Sequence, residues 1–236
     1  MAFKATPAII GFGAREGILM LVDTLLHRPS RPQRVLQYLQ DRIDPGNPTA
    51  TLEAMDAFAR QKRFLMNVGD VKGKILTQAL ARSGAGNVLE LGTYCGYSAI
   101  LMALHLKGSG HVDSLEMNPG NAEAARAIIE FAGLSEKITV HTGAAGDIIP
   151  SLGRQYDLVF IDHWKNQYLP DLLLIESSEA IKPGSYVVAD NIGMFDATGY
   201  LDHVRDSGRY DNTNHQAHME YNDTIFDAVE VSILRH

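Results

Sequence analysis

The feature that most constrains this chain is a change of rhythm at Asn87. From there on, short apolar runs of strand length alternate with longer helical patterns. Stretches 88–91, 111–116, 138–141, 156–161 and 186–189 read as strands, and 97–106, 119–131, 147–152 and 169–181 read as helices between them. Strands joined by helical crossovers run parallel, and right-handed crossovers wind them into an open, doubly wound α/β sheet.

Ligands of such sheets sit beyond the carboxyl ends of the strands. Glu90, Glu116, Asp162 and Asp190 all stand at or near those ends. One apolar run stops at Asp162, with Lys165 three residues on, and another stops at Asp190-Asn191. Carboxylate and amide oxygens suit a hard divalent cation such as Mg²⁺, and a lysine beside that charge can serve as a base. Each cluster alone has a plainer reading. Asp-Asn after a strand makes turns and helix caps, and Asp162 with Lys165 makes a local ion pair, worth little at a surface. Their placement at the ends of neighbouring strands favours one shared site.

The turn Glu90-Leu91-Gly92-Thr93-Tyr94-Cys95-Gly96-Tyr97-Ser98 follows the first strand. Its small residues let a ligand approach the backbone, and Ser98 can donate at a helix N-terminus; a glycine-bearing turn can equally be a packing device. The pattern is E-x-G-x-x-x-G, not the dinucleotide fingerprint G-x-G-x-x-G. An acid in place of the first glycine would face a pyrophosphate, which disfavours a nicotinamide-dependent oxidoreductase. Glu116, ending the second strand, is placed to accept from ribose hydroxyls, or is a solvated loop acid. Together the two point to S-adenosylmethionine, which carries a ribose, a free amino-acid end and a sulfonium.

Before Asn87 the chain reads as helical. Residues 1–14 show little periodicity and are expected to be loosely held. Helical spacing follows over 15–26 and 33–43, separated by a break at 27–32. After a turn at 44–48, Thr49 or Thr51 is expected to cap a helix carrying Leu52, Met55, Phe58 and Ala59. Met66-Asn67-Val68-Gly69-Asp70 precedes another helix, through Ile75, Leu76 and Leu80. At the other end, alternation within 216–235 predicts an antiparallel edge hairpin. We divide the single domain 1–236 into an extension (1–32), N-terminal helices (33–84) and the doubly wound core (85–236).

A formal charge of −7 and a pI near 5.7 exclude the basic footprint of a nucleic-acid binder. The apolar stretch 18–26, broken by Asp23, is far short of the roughly 20 residues that span a bilayer, and the first residues lack a clean leader pattern. The lone Cys95 fits a reducing compartment. A cytoplasmic protein with no membrane partner is expected.

Several stretches resemble the catechol O-methyltransferase family: Met66-Asn67-Val68-Gly69-Asp70, the 89–98 run, Asp147-Ile148-Ile149-Pro150, Asp162-His163-Trp164-Lys165, Tyr168-Leu169-Pro170-Asp171 and Ala189-Asp190-Asn191. The likeness runs in register from about residue 34 to 229. It implies a seven-stranded, mostly parallel, Rossmann-like sheet with a C-terminal antiparallel hairpin and extra N-terminal helices. It implies Mg²⁺ on Asp162, Asp190 and Asn191, holding both oxygens of a small-molecule catechol. Lys165 would take the proton of the reacting hydroxyl, and Glu220 would receive the second hydroxyl. The metal lowers that hydroxyl's pKa, and the lysine needs a depressed pKa of its own. Glu116 would bind the ribose, with Met117, Ala144, His163 and Trp164 around the adenine and Asp162 also facing the donor. Backbone at Val68, Gly92 and Tyr94, with the Ser98 hydroxyl, would hold the methionine end, and Glu90 would favour its ammonium. Phe64, Met66, Trp164, Lys165, Asn191 and Glu220 would surround the acceptor, in a monomer or weak dimer.

The chain departs from the family pattern at the adenine, where Ala145-Gly146 replaces a Ser-Gln pair. It departs again at the acceptor, where Phe64 stands for a tryptophan and a proline is replaced near Phe195. Those changes leave open a bulkier vicinal diol, of caffeoyl or flavonoid type. A non-catalytic S-adenosylmethionine-binding protein is the other reading, and it has no need of Lys165 and three metal donors.

Overall fold

The computed structural model describes residues 6–236. Four helices come first: α1 (Pro7–Leu25), α2 (Arg31–Gln40), α3 (Pro48–Gln61) and α4 (Gly69–Ser83). The alternating part follows as β1 (Asn87–Leu91), α5 (Tyr97–His105), β2 (His111–Glu116), α6 (Pro119–Phe131), β3 (Ile138–Thr142), α7 (Ala145–Ile148), β4 (Leu158–Ile161), α8 (Tyr168–Ser177) and β5 (Tyr186–Ala189). After α9 (Thr198–Asp206), a hairpin of β6 (Tyr210–His218) and β7 (Phe226–Leu234) closes the chain.

The seven strands form one sheet in the order β3-β2-β1-β4-β5-β7-β6, as expected of the doubly wound class. β1 to β5 run parallel, β7 is antiparallel to β5, and β6 to β7. Successive side chains on a strand point to opposite faces, and here both faces are covered. Val88 and Phe160 join Val35, Leu39, Met55, Phe58, Leu76 and Ile100 on one side. Leu89, Val159 and Ile161 join Tyr168, Leu172 and Ile175 on the other. Burial on both faces explains why β4 reads as an unbroken apolar run.

Strand order reverses between β1 and β4, which opens a crevice beyond their carboxyl ends. The register sets Leu91 beside Ile161 and Ile161 beside Ala189. Gly92, Asp162 and Asp190 therefore leave the sheet at one level. Gly92 has φ +106°, and a Cβ there would lie 2.5 Å from the Asp162 carbonyl oxygen. Its need for glycine thus comes from the β4 chain passing close by, a reason distinct from ligand approach.

Several boundaries differ from the sequence expectation. Residues 7–14 are helical, not loosely held: Thr6 caps α1 by accepting from the Ile9 N–H at 3.3 Å. From Glu16 on, the inward face of α1 is polar. Glu16 pairs with Arg31 at 2.7 Å, and Asp23 meets Arg28, Arg34 and Arg63 at 3.1, 2.9 and 3.4 Å. Against the opposing effect of burial, bonds from Arg63, Arg28 and Arg34 hold the Asp23 carboxyl down to about 2. Ile18, Leu21 and Leu25 face outward instead.

The cap of α3 is Asn47, which accepts from the Ala50 N–H at 3.0 Å. Thr51 lies inside the helix, donating to the Asn47 carbonyl at 2.9 Å. Expected 147–152 is a single turn plus a 3-10 turn over Ile149–Ser151, and α8 stops at Ser177. α9 is not among the sequence expectations, although Tyr200 and Val204 stand four apart and are both buried. β6 begins at Tyr210, ahead of the expected 216, because its polar outward positions mask the alternation. Among the described residues no helix is long and apolar enough to cross a membrane.

Gly92→Ala forces both a left-handed backbone and a clash with Asp162. It should lower the free energy of unfolding by about 2 kcal/mol or more, read from urea denaturation; a loss under about 0.5 kcal/mol contradicts the close-approach account.

Candidate functional site

Asp162 follows β4, Asp190 and Asn191 follow β5, and Glu220 lies in the connection between β6 and β7. Lys165 opens a 3-10 turn just beyond Asp162. Its ammonium stands 3.8 Å from Asp162 Oδ1 and donates to Asn191 Oδ1 at 3.4 Å, to the His163 carbonyl at 3.5 Å and to the Tyr168 hydroxyl. Tyr168 in turn donates to the Asp190 carbonyl at 3.1 Å. Burial, then repulsion from Asp190, pushes the Asp162 carboxyl well above the usual carboxylate range. Asp190 is lifted to about 6 by burial, with Asp227 and Glu220 adding and Lys72 opposing. Burial holds Lys165 below the ordinary lysine value, although Asp162 and Asp190 pull the other way. A lysine so depressed is closer to the neutral form a base requires.

Two residues of this cluster escaped the sequence reading. Lys72, in the first turn of α4, is buried with its ammonium 2.8 Å from Asp190 Oδ2, 3.0 Å from Glu220 Oε2 and 2.7 Å from Asp227 Oδ2. Burial works against its charge, yet Asp190, Glu220 and Asp227 outweigh that and raise its pKa well above the usual value. Asp227 also accepts from the Asn191 side-chain amide at 2.8 Å. That bond turns the Asn191 Oδ1 toward Lys165. Both residues carry a sequence signal. Lys72 sits on the face of α4 that buries Leu76 and Leu80, and Asp227 breaks the apolar run of β7.

Four carboxylates (Asp162, Asp190, Glu220 and Asp227) converge on two ammonium groups. Asp190 Oδ2 and Glu220 Oε2 are buried and make no aligned hydrogen bond, though both lie at ion-pair distance from Lys72. The surplus of negative charge and the oxygen donors fit a hard divalent cation. Among the described residues no group of three or more His, Cys, Asp or Glu is arranged as a ligand set. The oxygens of Asp162, Asp190 and the Asn191 amide are the ones at this edge that could hold a cation, and Mg²⁺ commonly fills its other positions with water or substrate oxygens.

On the other side of Gly92 stands the expected donor region. Glu116 accepts from the backbone N–H of Tyr94 and of Asn118, each at 2.8 Å. Glu90 is wholly buried and accepts from Ser114 and Ser98, while its Oε1 accepts nothing. Burial raises the Glu90 carboxyl to about 7, against those two bonds and with Glu116 adding. Val68 is buried just ahead of α4, and Ala144 precedes α7. His163 bonds Asp171 through Nε2 at 2.7 Å and stacks on Tyr168. Met117 and Trp164 lie exposed at this mouth.

Toward the acceptor side, Met66 is exposed, and Lys165 Nζ lies 5.9 Å from the centre of the Phe195 ring. Phe64 packs with Met194, Met219 and Ile225 in a small apolar cluster; in the sequence Met194 stands three residues from Asn191 and Met219 one from Glu220. Tyr221, beside Glu220, donates to Asp56 of α3 at 2.7 Å.

The strand order, the reversed crossover and the acids at one carboxyl edge define a class I methyltransferase fold. An O-methyltransferase solved from Bacillus cereus in complex with SAH superimposes with a TM-score of 0.68 at 24% identity, covering 86% of this chain and 97% of that one. A family profile for O-methyltransferases matches residues 47–231. The mouse catechol O-methyltransferase is 36% identical over 95% of this chain and 86% of its own length, and zebrafish catechol O-methyltransferase B is 39% identical over 91% and 86%. The chain belongs to the catechol O-methyltransferase family and is an S-adenosylmethionine-dependent methyltransferase that acts on a hydroxyl.

Removing Lys72 alone strands buried carboxylates. Lys72→Met should cost about 3–5 kcal/mol of stability, and adding Asp227→Asn should return part of it. Urea denaturation of the single and double variants checks this; strictly additive losses contradict the ion cluster.

A raised native pKa at Glu90 means the native state holds a proton that the unfolded chain releases near pH 4.5. Its contribution is fully present below that pH and is lost as pH rises to about 7. Glu90→Gln should flatten the decline in thermal stability across this window, and an unchanged slope contradicts the assignment.

Proposed function

We propose that this enzyme transfers a methyl group from S-adenosylmethionine to one hydroxyl of a small catechol, with Mg²⁺ bound at Asp162, Asp190 and Asn191. The observation that carries the reading is a half-buried lysine with a depressed pKa beside several carboxylates and an oriented amide oxygen. Vicinal oxygens and a divalent cation fit such a set. Catechol relatives at 36–39% identity support the same acceptor class.

When bound, Mg²⁺ supplies the charge that makes a phenol more acidic, and S-adenosylmethionine supplies a methyl carbon activated by its sulfonium. The chain's own residues do the rest. Lys165 Nζ takes and holds the proton of the reacting hydroxyl. Glu220 accepts a hydrogen bond from the neighbouring hydroxyl, with the Lys72 ammonium 3.0 Å from its Oε2. Glu116, already anchored by two backbone N–H groups, has lone pairs left for ribose hydroxyls. The buried Oε1 of Glu90 makes no hydrogen bond, and this carboxyl would favour an ammonium group held nearby, with the Ser98 hydroxyl and the backbone of Val68, Gly92 and Tyr94 around the same end. Met117, Ala144, His163 and Trp164 line the place for an adenine. Phe64, Met66 and Trp164 flank the acceptor ring. Holding nucleophile and methyl in line provides much of the acceleration.

A second reading, the same chemistry on a bulkier vicinal diol, draws on Phe64 and on the open position of Phe195. A panel of simple and substituted catechols separates the two, and turnover confined to the bulky members contradicts the small-catechol assignment. Lys165→Met should lower kcat by roughly 10²–10⁴-fold while S-adenosylhomocysteine binding, read by calorimetry, changes little. An unaltered kcat rules out Lys165 as the base.

A further inference from the structure

Phe64 lies in the segment between α3 and α4, where no helix or strand fixes its position. What fixes it comes from α1 and from the first residue of α2, which α1 holds in turn. The ring of Phe12 meets that of Phe64 edge-on, with centroids 4.9 Å apart and planes at 84°. Arg31 donates to the Phe64 carbonyl at 3.1 Å through Nη1, and its Nη2 pairs with Glu16 of α1 at 2.7 Å. The next residue back, Arg63, reaches Asp23 of α1 at 3.4 Å. Helix α1 thus grips the segment through the Phe12 ring and through the Glu16 and Asp23 carboxylates, which hold Arg31 and Arg63.

The same helix reaches the acceptor side directly. Ala8, Ile9 and Phe12 pack with Phe64 against Met194, Met219 and Ile225. Met194 follows Asn191 by three residues and Met219 precedes Glu220. The cluster therefore backs the groups assigned to the acceptor, and α1 is its outer layer. The outward residues of α1, Ile18 among them, touch none of this.

We propose that α1 forms the outer wall of the acceptor site, with Phe12 a specificity-determining residue that sets how far Phe64 yields to substituents on the ring. The proposal rests on the catechol reading above. With Phe12 in place, Phe64 has an aromatic edge behind it and presents a firm surface to a small ring. Without that edge, Phe64 can rotate back into the vacated volume, which loosens the fit of a small catechol and admits a larger one. Contact with the reacting atoms is not required of Phe12, so its effect falls on acceptor fit and leaves donor binding alone.

The test compares wild type with Phe12→Ala, Phe12→Leu and Ile18→Ser. Steady-state kinetics use unsubstituted catechol and a catechol bearing a bulky ring substituent. Acceptor binding to the Mg²⁺- and S-adenosylhomocysteine-loaded protein is followed by fluorescence of Trp164, the only tryptophan. Phe12→Ala should raise KM and Kd for unsubstituted catechol by roughly 3–10-fold and shift the kcat/KM ratio toward the bulky substrate by at least about 3-fold. Phe12→Leu should restore most of the wild-type ratio, and Ile18→Ser should match wild type. S-Adenosylhomocysteine affinity should stay within about 2-fold throughout. Hydrogen exchange over residues 7–25 reports whether α1 stays docked. An unchanged substrate ratio in Phe12→Ala overturns the proposal whether or not α1 remains protected. If wild type neither methylates a catechol nor changes Trp164 fluorescence with one, the catechol reading itself fails; a working wild type with an unchanged Phe12→Ala ratio removes only the role of α1.

Discussion

The buried ammonium of Lys72 is the interaction on which the site depends. It brings together Asp190 at the end of β5, Asp227 in β7 and Glu220 in the hairpin connection, all within 3.0 Å. Three carboxylates removed from water would repel one another. One fully buried cation holds them together at the sheet edge. Asp162 stands beside them, 3.8 Å from Lys165, with burial pushing its carboxyl well above the usual range. What remains is a cluster of oxygen donors whose geometry was fixed by folding, before any ligand arrives.

Orientation follows from the same contacts. Asp227 holds the amide of Asn191 so that its oxygen points toward Lys165. Asn191, Tyr94 and Tyr221 all adopt positive φ, at 53°, 50° and 56°. Such backbone is uncommon outside glycine and persists where surroundings impose it. Each of these residues adjoins a group assigned to donor, metal or acceptor. Gly92 completes the arrangement by letting the β1 turn pass against Asp162, so donor and metal sides share a border one residue thick.

The sheet was legible because its strands are buried on both faces and read as apolar runs that end in acids. Asp162, Lys165, Asp190 and Asn191 were visible for that reason, since a strand boundary and a chemical group coincide there. Lys72 was not, because a lysine in an amphipathic helix is ordinarily solvated and only the distant carboxylates explain its burial. Asp227 was hidden likewise in a strand whose burial depends on β5. Beyond its first two turns, helix α1 inverts the usual rule: Glu16 and Asp23 pair with arginines of the body while Ile18, Leu21 and Leu25 face out. Periodicity found the latter part of the helix but pointed to the wrong face, and the first two turns, rich in glycine and alanine, gave no period at all. The Phe12–Phe64 contact spans two segments that local pattern cannot join.

On the proposed function, Asp162, Asp190 and the Asn191 amide that Asp227 orients would take one divalent cation. The decisive measurement is calorimetric titration of Mg²⁺ into the S-adenosylhomocysteine-loaded protein, with turnover measured after chelation and re-addition. One Mg²⁺ site is expected, lost in Asp190→Asn, with turnover that disappears with chelator and returns with metal. Full turnover in chelator, with no Mg²⁺ bound by the wild-type protein, overturns the metal assignment.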